Sequence, residues 1–385
     1  MLTPCLWAQK KELDQARSYV KSGKDLDKAE KLMTDLLKDS VNRQNRKIYA
    51  MWFDVVKAQY EAANEKLYLR QKYDTAAFFN LTKHLFDVAL RLDTVDTQPD
   101  GRGRVRPLYR KSHAAYLDVL RPNLYYGGSY HVRKEEYLKA YDFFDHYLNT
   151  VSQPLFSDLH YQRDSVMAQA AYWATYCGFR MGDADLTLKY SELAAKDESK
   201  LAFTLQYRCE AYHQQGNDSA YVSTLETGFK AFPESTYFFP RLADYYKAIG
   251  NSKKVVRLAD YGLGVNDDNT LFLLAKSIAL LDMENYDECL EVCERMIQID
   301  SKLAEPYFNC ATCYLNEALA LESENEPRKN HRRLRELYML ARPYMEDYRS
   351  LAPDDSQRWA PALYRIYFNL NMGKQFDEID QLMRK

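Results

Sequence analysis

A spacing of 34 residues runs unbroken along the middle of the chain, through Ala171, Leu205, Phe239, Leu273 and Tyr307. A fixed period of this length means that one supersecondary unit repeats and stacks, burying a face that no single unit could bury alone. Each column of the period has a physical job. Four residues after each marker stand Thr175, Cys209, Ala243, Ser277 and Ala311, all small. Helices approach closely only where side chains are short, so this column marks a tight crossing. Ala243→Phe is therefore expected to cost several kcal/mol by overpacking. Three residues further on come Gly178, Tyr212, Tyr246, Leu280 and Tyr314, four of them large. The turns follow as Gly182-Asp183, Gly216-Asn217, Gly250-Asn251 and Glu284-Asn285. Glycine ends one helix, and Asn or Asp caps the next. Ser199, Pro233, Asp267 and Ser301 are stop or cap residues where one unit hands over to the next.

This order of large, small, large, turn and stop resembles the tetratricopeptide repeat (TPR) family. Phe239-x-x-Leu242-Ala243-x-x-Tyr246 with Gly250-Asn251 matches it best, and Tyr286-Asp287-Glu288-Cys289 is similar to the start of the family's second helix. Arg208 and Lys276 depart from the pattern where it has apolar residues, and Gly178 where it has a large one. The resemblance implies an all-α, TPR-like, right-handed α-solenoid of about eight helical hairpins with a C-terminal helical cap.

The flanks fit the period less closely. Lys11 to Ser22 and Asp25 to Asp39 read as an N-terminal hairpin with Gly23 in the turn. Ile48 to Leu69 and Tyr73 to Leu92 read as a longer one. Leu124 to Val132, with Gly127-Gly128 at the crossing, precedes a second helix over Arg133 to Phe144. The distance from Leu124 to Ala171 exceeds one period, so Ser152 to His160 is expected to hold an insertion. A second insertion, Leu321 to Arg333, displaces a helix over Leu334 to Tyr348. Trp359 to Met372 and Phe376 to Met383 close the stack. The expected organisation is an irregular array over residues 10–167, a regular array over 168–303, and a capped repeat over 304–385.

Composition agrees. Only 13 glycines and 12 prolines among 385 residues suit helices with short turns, and 32 tyrosines supply much of the packing volume. The formal net charge of −2 predicts no general attraction to nucleic acid or anionic membrane. No apolar run approaches the roughly 20 residues of a membrane span. The apolar start Leu2-Thr3-Pro4-Cys5-Leu6-Trp7-Ala8 (residues 1–9) has two readings. It is the tail of a secretory signal peptide, which would place the protein in the envelope, in the periplasm or outside a bacterium. Otherwise it packs on the first hairpin, and the protein is cytoplasmic.

Cys289-x-x-x-Cys293 and Cys310-x-x-Cys313 fall on helices expected to be neighbours. Their thiols could converge on a zinc ion, but helical pairs and ordinary packing positions favour small hydrophobes instead. No cofactor is expected. The histidines show no paired helical spacing, and no nucleophile elbow, zinc-protease helix or phosphate loop occurs, so no catalytic role is expected.

By the resemblance, the first helix of each repeat lines the concave face. Carried over by column, that groove holds Tyr172, Tyr176, Phe179, Arg180, Gln206, Glu210, His213 and Gln214. It continues through Asp244, Lys247, Leu274, Ile278, Leu281, Phe308, Thr312 and Asn316. An extended peptide or a protein segment is the expected occupant, without nucleic acid and without a small-molecule substrate. A structural subunit of an envelope assembly, or a carbohydrate-handling accessory with Tyr172 and Tyr176 against sugar, are the alternatives. The basic stretches Arg102-Gly103-Arg104-Val105-Arg106 and Arg328 to Arg333 read as solvated loops or contacts to an acidic partner.

Overall fold

A computed structural model describes the backbone of residues 4–324 and 327–384, with side chains described from 9 to 324 and from 330 to 384. Among the described residues the regular structure is helical throughout. Contacts divide the chain into two compact units, Met1–Tyr221 and Val222–Lys385. The side chains of the apolar N-terminal segment, and those of Arg328 and Lys329, lie outside the described residues; the backbone from Pro4 onward is already helical.

The first unit holds α1 (Pro4–Ser22), α2 (Leu26–Leu36), α3 (Arg46–Tyr68), α4 (Thr75–Asp96), α5 (Arg110–Leu120), α6 (Pro122–Arg133), α7 (Tyr137–Asn149), α8 (Met167–Met181), α9 (Ala184–Lys189), α10 (Ser191–Ala194) and α11 (Leu201–Gln214). After α12 (Asp218–Ala231), the second holds α13 (Phe238–Ala248), α14 (Ser252–Leu263), α15 (Thr270–Asp282), α16 (Tyr286–Ile299), α17 (Ala304–Ser323), α18 (Pro327–Leu351), α19 (Ser356–Asn369) and α20 (Gly373–Met383). Inside each unit, helices pack chiefly on their neighbours in sequence, and first helices also touch the next first helix, as α1 does α3 and α15 does α17. This is the contact pattern of a TPR-like helical-repeat solenoid.

The turns show why the period holds. Gly182, Gly216 and Gly250 adopt left-handed φ of 69°, 65° and 69°. The following N–H of Asp183, Asn217 and Asn251 then bonds back to the carbonyl of Gly178, Tyr212 and Tyr246 at 2.8 to 3.0 Å. That closes the helix end with a Schellman bond. The same Asp or Asn accepts from the N–H three residues later, at Leu186, Ala220 and Lys254, and so caps the next helix. Glu284 fills the fourth turn without glycine, at φ 58°, and Asn285 N–H still reaches the Leu280 carbonyl at 2.9 Å.

Four of the five small residues, Thr175, Cys209, Ser277 and Ala311, are completely buried. Ala243 is the exception. It is half-exposed and lines a cleft of about 110 Å³, so the large penalty expected for Ala243→Phe does not follow. Gly178 departs from the large column because the backbone of α9 lies on it: a Cβ there would sit 2.4 Å from Thr187 N. Gly127 and Gly128 occupy the expected crossing, against the rings of Phe143 and Phe144.

Three segments differ from expectation. Arg110–Leu120 forms its own helix, α5, in a stretch outside every hairpin expected from the sequence. The Leu321 to Arg333 insertion is largely helical and lengthens α17 and α18. The second helix after Asp183 breaks at Tyr190 into α9 and α10. The insertion before α8 is present as three 3₁₀ turns, Thr150–Ser152, Pro154–Leu159 and Tyr161–Arg163. Arg121 holds it: Nε donates to Thr150 Oγ1 at 2.9 Å and Nη1 to Asp164 at 2.6 Å, while its guanidinium lies 3.8 and 4.0 Å from the rings of Tyr147 and Tyr161. The loop after α4 is fixed similarly. Asp96 accepts the N–H groups of Leu108 and Tyr109, and Asp93 binds Arg110 through two bonds of 2.7 Å.

Candidate functional site

In the first unit, α8 carries Tyr172, Trp173, Tyr176, Phe179 and Arg180 at helical spacing, so they share one side. Tyr207 of α11 lies 6.2 Å from Tyr172, 6.0 Å from Tyr176 and 4.5 Å from Phe179, centroid to centroid, the last pair stacked. Tyr137, at the start of α7, is 6.0 Å from Tyr176. Arg180 closes the group, its guanidinium 4.5 Å from the Tyr137 ring and donating to the Tyr176 hydroxyl. Tyr172 is buried, which leaves it unavailable as a platform for sugar. Trp173, Tyr176, Phe179, Tyr207 and Tyr137 are half-buried, and Arg180 is exposed. The result is a continuous aromatic surface with the Arg180 guanidinium on it. Burial raises the Tyr172 and Tyr207 phenols above their ordinary range.

The other first-unit candidates follow along α11. Gln206 and Glu210 are half-buried. His213 is exposed with its ring 5.1 Å from Tyr221, and Gln214 Nε2 donates to the Gly182 carbonyl at 2.8 Å, tying α11 to the preceding turn.

In the second unit, Asp244, Lys247 and Ile278 come together on the cleft of about 110 Å³ that Ala243 also lines. Leu274 and Leu281 instead pack against the buried cluster of Leu273, Leu280 and four cysteines. Phe308 lies under Arg358, 3.8 Å from its ring, and beside Tyr348 at 5.0 Å, so α19 covers it. Thr312 Oγ1 donates to the Phe308 carbonyl at 2.7 Å, and Asn316 is half-buried on α17.

Cys289, Cys293, Cys310 and Cys313 do meet, fully buried between α16 and α17. Cys289 donates to the Ser277 carbonyl at 3.2 Å. Hydrogen bonding to Cys289, together with burial, raises Cys293 and Cys313 and holds them as thiols. Among the described residues no three His, Cys, Asp or Glu side chains are arranged to hold a metal ion.

The two departures from the repeat have different fates. Lys276 binds both Asp260 and Glu288 at 2.9 Å, joining α14, α15 and α16. Arg208 lies 5.9 Å from the Tyr212 ring, and its buried Nε has no hydrogen-bond partner among the described residues. The loop Asp100–Arg106 closes on its own carboxylate, since Asp100 accepts from the N–H of Arg102 and of Arg104 and pairs with the Arg104 side chain at 3.2 Å. Arg332 and Arg333 stand on α18, paired with Glu336 and Glu317. Among the described residues no helix is long and apolar enough to cross a membrane.

No protein-family model matches the chain, and no curated protein matches it. Solved structures similar to it are helical-repeat proteins. The C-terminal part of a TPR repeat-containing protein from Cytophaga hutchinsonii is 12% identical, with 66% of this chain and 92% of that one covered at a TM-score of 0.44. Yeast Tom70 is 13% identical, covering 91% and 89% at 0.30. The TPR2AB domain of yeast Sti1, in its pHSP90 complex, is 10% identical, covering 66% and 99% at 0.26. Scores this low carry no argument about this chain. Its repeat architecture stands on its own hairpins, crossings and turns.

Tyr207, Trp173 and Tyr137 were not among the residues expected from the sequence. Column transfer points to Gln206 on α11, one residue from the ring that joins the aromatic surface. The dense Tyr and Trp content of 172–176 and 207 was the available signal.

Proposed function

We propose that this protein is a non-catalytic scaffold that holds an extended peptide or protein segment against the first helices of its hairpins. The aromatic surface of Tyr137, Trp173, Tyr176, Phe179 and Tyr207 carries this reading. Half-exposed rigid rings with a single arginine are the composition that anchors protein interfaces, because they offer large contact area at small entropic cost. The histidine–carboxylate pairs support a structural rather than a catalytic use. His84 meets Glu30, and His146 meets Asp87, each bridging separate helices.

The test begins with affinity purification from the source cells and mass spectrometry of what co-elutes. The co-eluting protein is then titrated against the parent and against Tyr176→Ala/Tyr207→Ala, with circular dichroism to confirm that the variant is folded. A loss of about tenfold or more in affinity is expected, the scale of one interface hot spot. Parent-like affinity in the folded variant rules this surface out as the binding face.

A further inference from the structure

A separate cleft of about 290 Å³ opens near the start of the chain. Its walls come from three elements. Thr34 and Lys38 stand at the end of α2, Arg43 follows the 3₁₀ turn Ser40–Asn42, and Arg91 reaches in from α4. Tyr49 and Trp52 of α3 form the floor, their rings 6.3 Å apart and tilted by 37°. The Arg91 guanidinium lies 5.5 Å from the Trp52 ring, which holds it toward the cleft. Three lining residues are cationic and none is acidic.

The cations are unequally satisfied. Lys38 pairs with Asp35 at 2.6 Å in an exposed bridge. Arg43 and Arg91 make no side-chain hydrogen bond or ion pair with the described residues. Glu30 of α2, half-buried, accepts from Trp52 Nε1, from Gln59 and at His84, and Asp39 caps the 3₁₀ turn by accepting from Val41 N–H. The lining of the cleft therefore carries net positive charge beside an aromatic, low-dielectric wall, an arrangement that concentrates the field on an entering anion.

We propose that this cleft binds a phosphate monoester borne on a small planar group. Two guanidinium forks match the oxygen edges of phosphate, and the dianionic charge near neutral pH offsets their repulsion. The half-buried Tyr49 ring, backed by the buried Trp52, gives the carrier an apolar face to rest on. The site is apart from the α8–α11 surface, so its failure leaves the scaffold reading untouched.

Thermal melting and calorimetric titration of the full chain test the proposal, with phenyl phosphate, glycerol phosphate and inorganic phosphate compared against chloride at matched ionic strength. Phenyl phosphate is expected to raise the melting temperature most. Arg43→Gln/Arg91→Gln, which alters two exposed side chains, is expected to abolish that rise, and Lys247→Gln to leave it intact. The proposal is overturned by a phosphate response no larger than that to chloride, by one that survives in the double variant, or by phenyl phosphate acting no better than glycerol phosphate.

Discussion

Gly178 of α8 lies directly under the backbone of Thr187 in α9, so close that a single methyl group would come within 2.4 Å of the amide nitrogen. Backbone cannot swing aside as a side chain can, so Gly178→Ala must push α9 away or distort α8. We expect a loss of about 1–3 kcal/mol, the usual range for overpacking. A urea midpoint equal to the parent's would show that α9 yields freely. Ala243→Phe, beside its open cleft, should cost distinctly less than Gly178→Ala.

Glu284 spends its backbone in the left-handed region that three sister turns give to glycine. Its Schellman bond is intact, so the strain is conformational and removable. Glu284→Gly is expected to stabilise the protein by about 1 kcal/mol, the order of the left-handed penalty for a residue with a Cβ. Differential scanning calorimetry would register this as a higher melting temperature, and an unchanged or lower one would contradict it.

Arg121 is buried between Tyr147 and Tyr161 and bonded to Asp164 and Thr150, four partners drawn from α7, the 3₁₀ insertion and the entry to α8. Removing it strands a carboxylate and opens a slot between two rings. Arg121→Ala should cost about 3–5 kcal/mol, as for a broken buried ion pair. Arg121→Lys should recover only part of this, since an ammonium cannot stack between both rings. Limited proteolysis should cut first within residues 150–163 in both variants, and protection equal to the parent's would mean that Arg121 is not what pins the insertion.

The repeat itself was legible because burial against a neighbour forces the same sizes at the same positions: Leu205, Phe239 and Leu273 are all buried, as their columns require. The turn chemistry was legible for the same local reason. The exceptions depend on contacts far apart in sequence. Nothing near Gly178 announces that α9 lies on it, and nothing near Arg121 announces Asp164. Likewise α5 sits in a stretch whose order depends on Asp93 and Asp96 of α4. Tyr207 escaped because a column inherited from a family fixes the helix face only to within a residue, and the aromatic surface is assembled from three helices.

His146 of α7 supplies a stability effect that pH can isolate. Burial by itself disfavours its imidazolium, but hydrogen bonds with Asp142 and with Asp87 of α4 outweigh that, and its pKa is pushed up to about 10. The same contact, with Lys83, holds Asp142 down to about 2. An unfolded histidine titrates near 6.5. Since the folded value is higher, the stabilisation is complete below about pH 6.5 and fades as pH rises toward about 10, where the folded ring also loses its proton. The parent should therefore lose stability steadily across that window relative to His146→Gln, and the two should run parallel below about pH 6. Urea titrations at a series of pH values give both curves. Parallel curves from about pH 6 to 10 would mean that the ring is neutral in the folded protein, and that the link from α7 to α4 is an ordinary hydrogen bond rather than an ion pair.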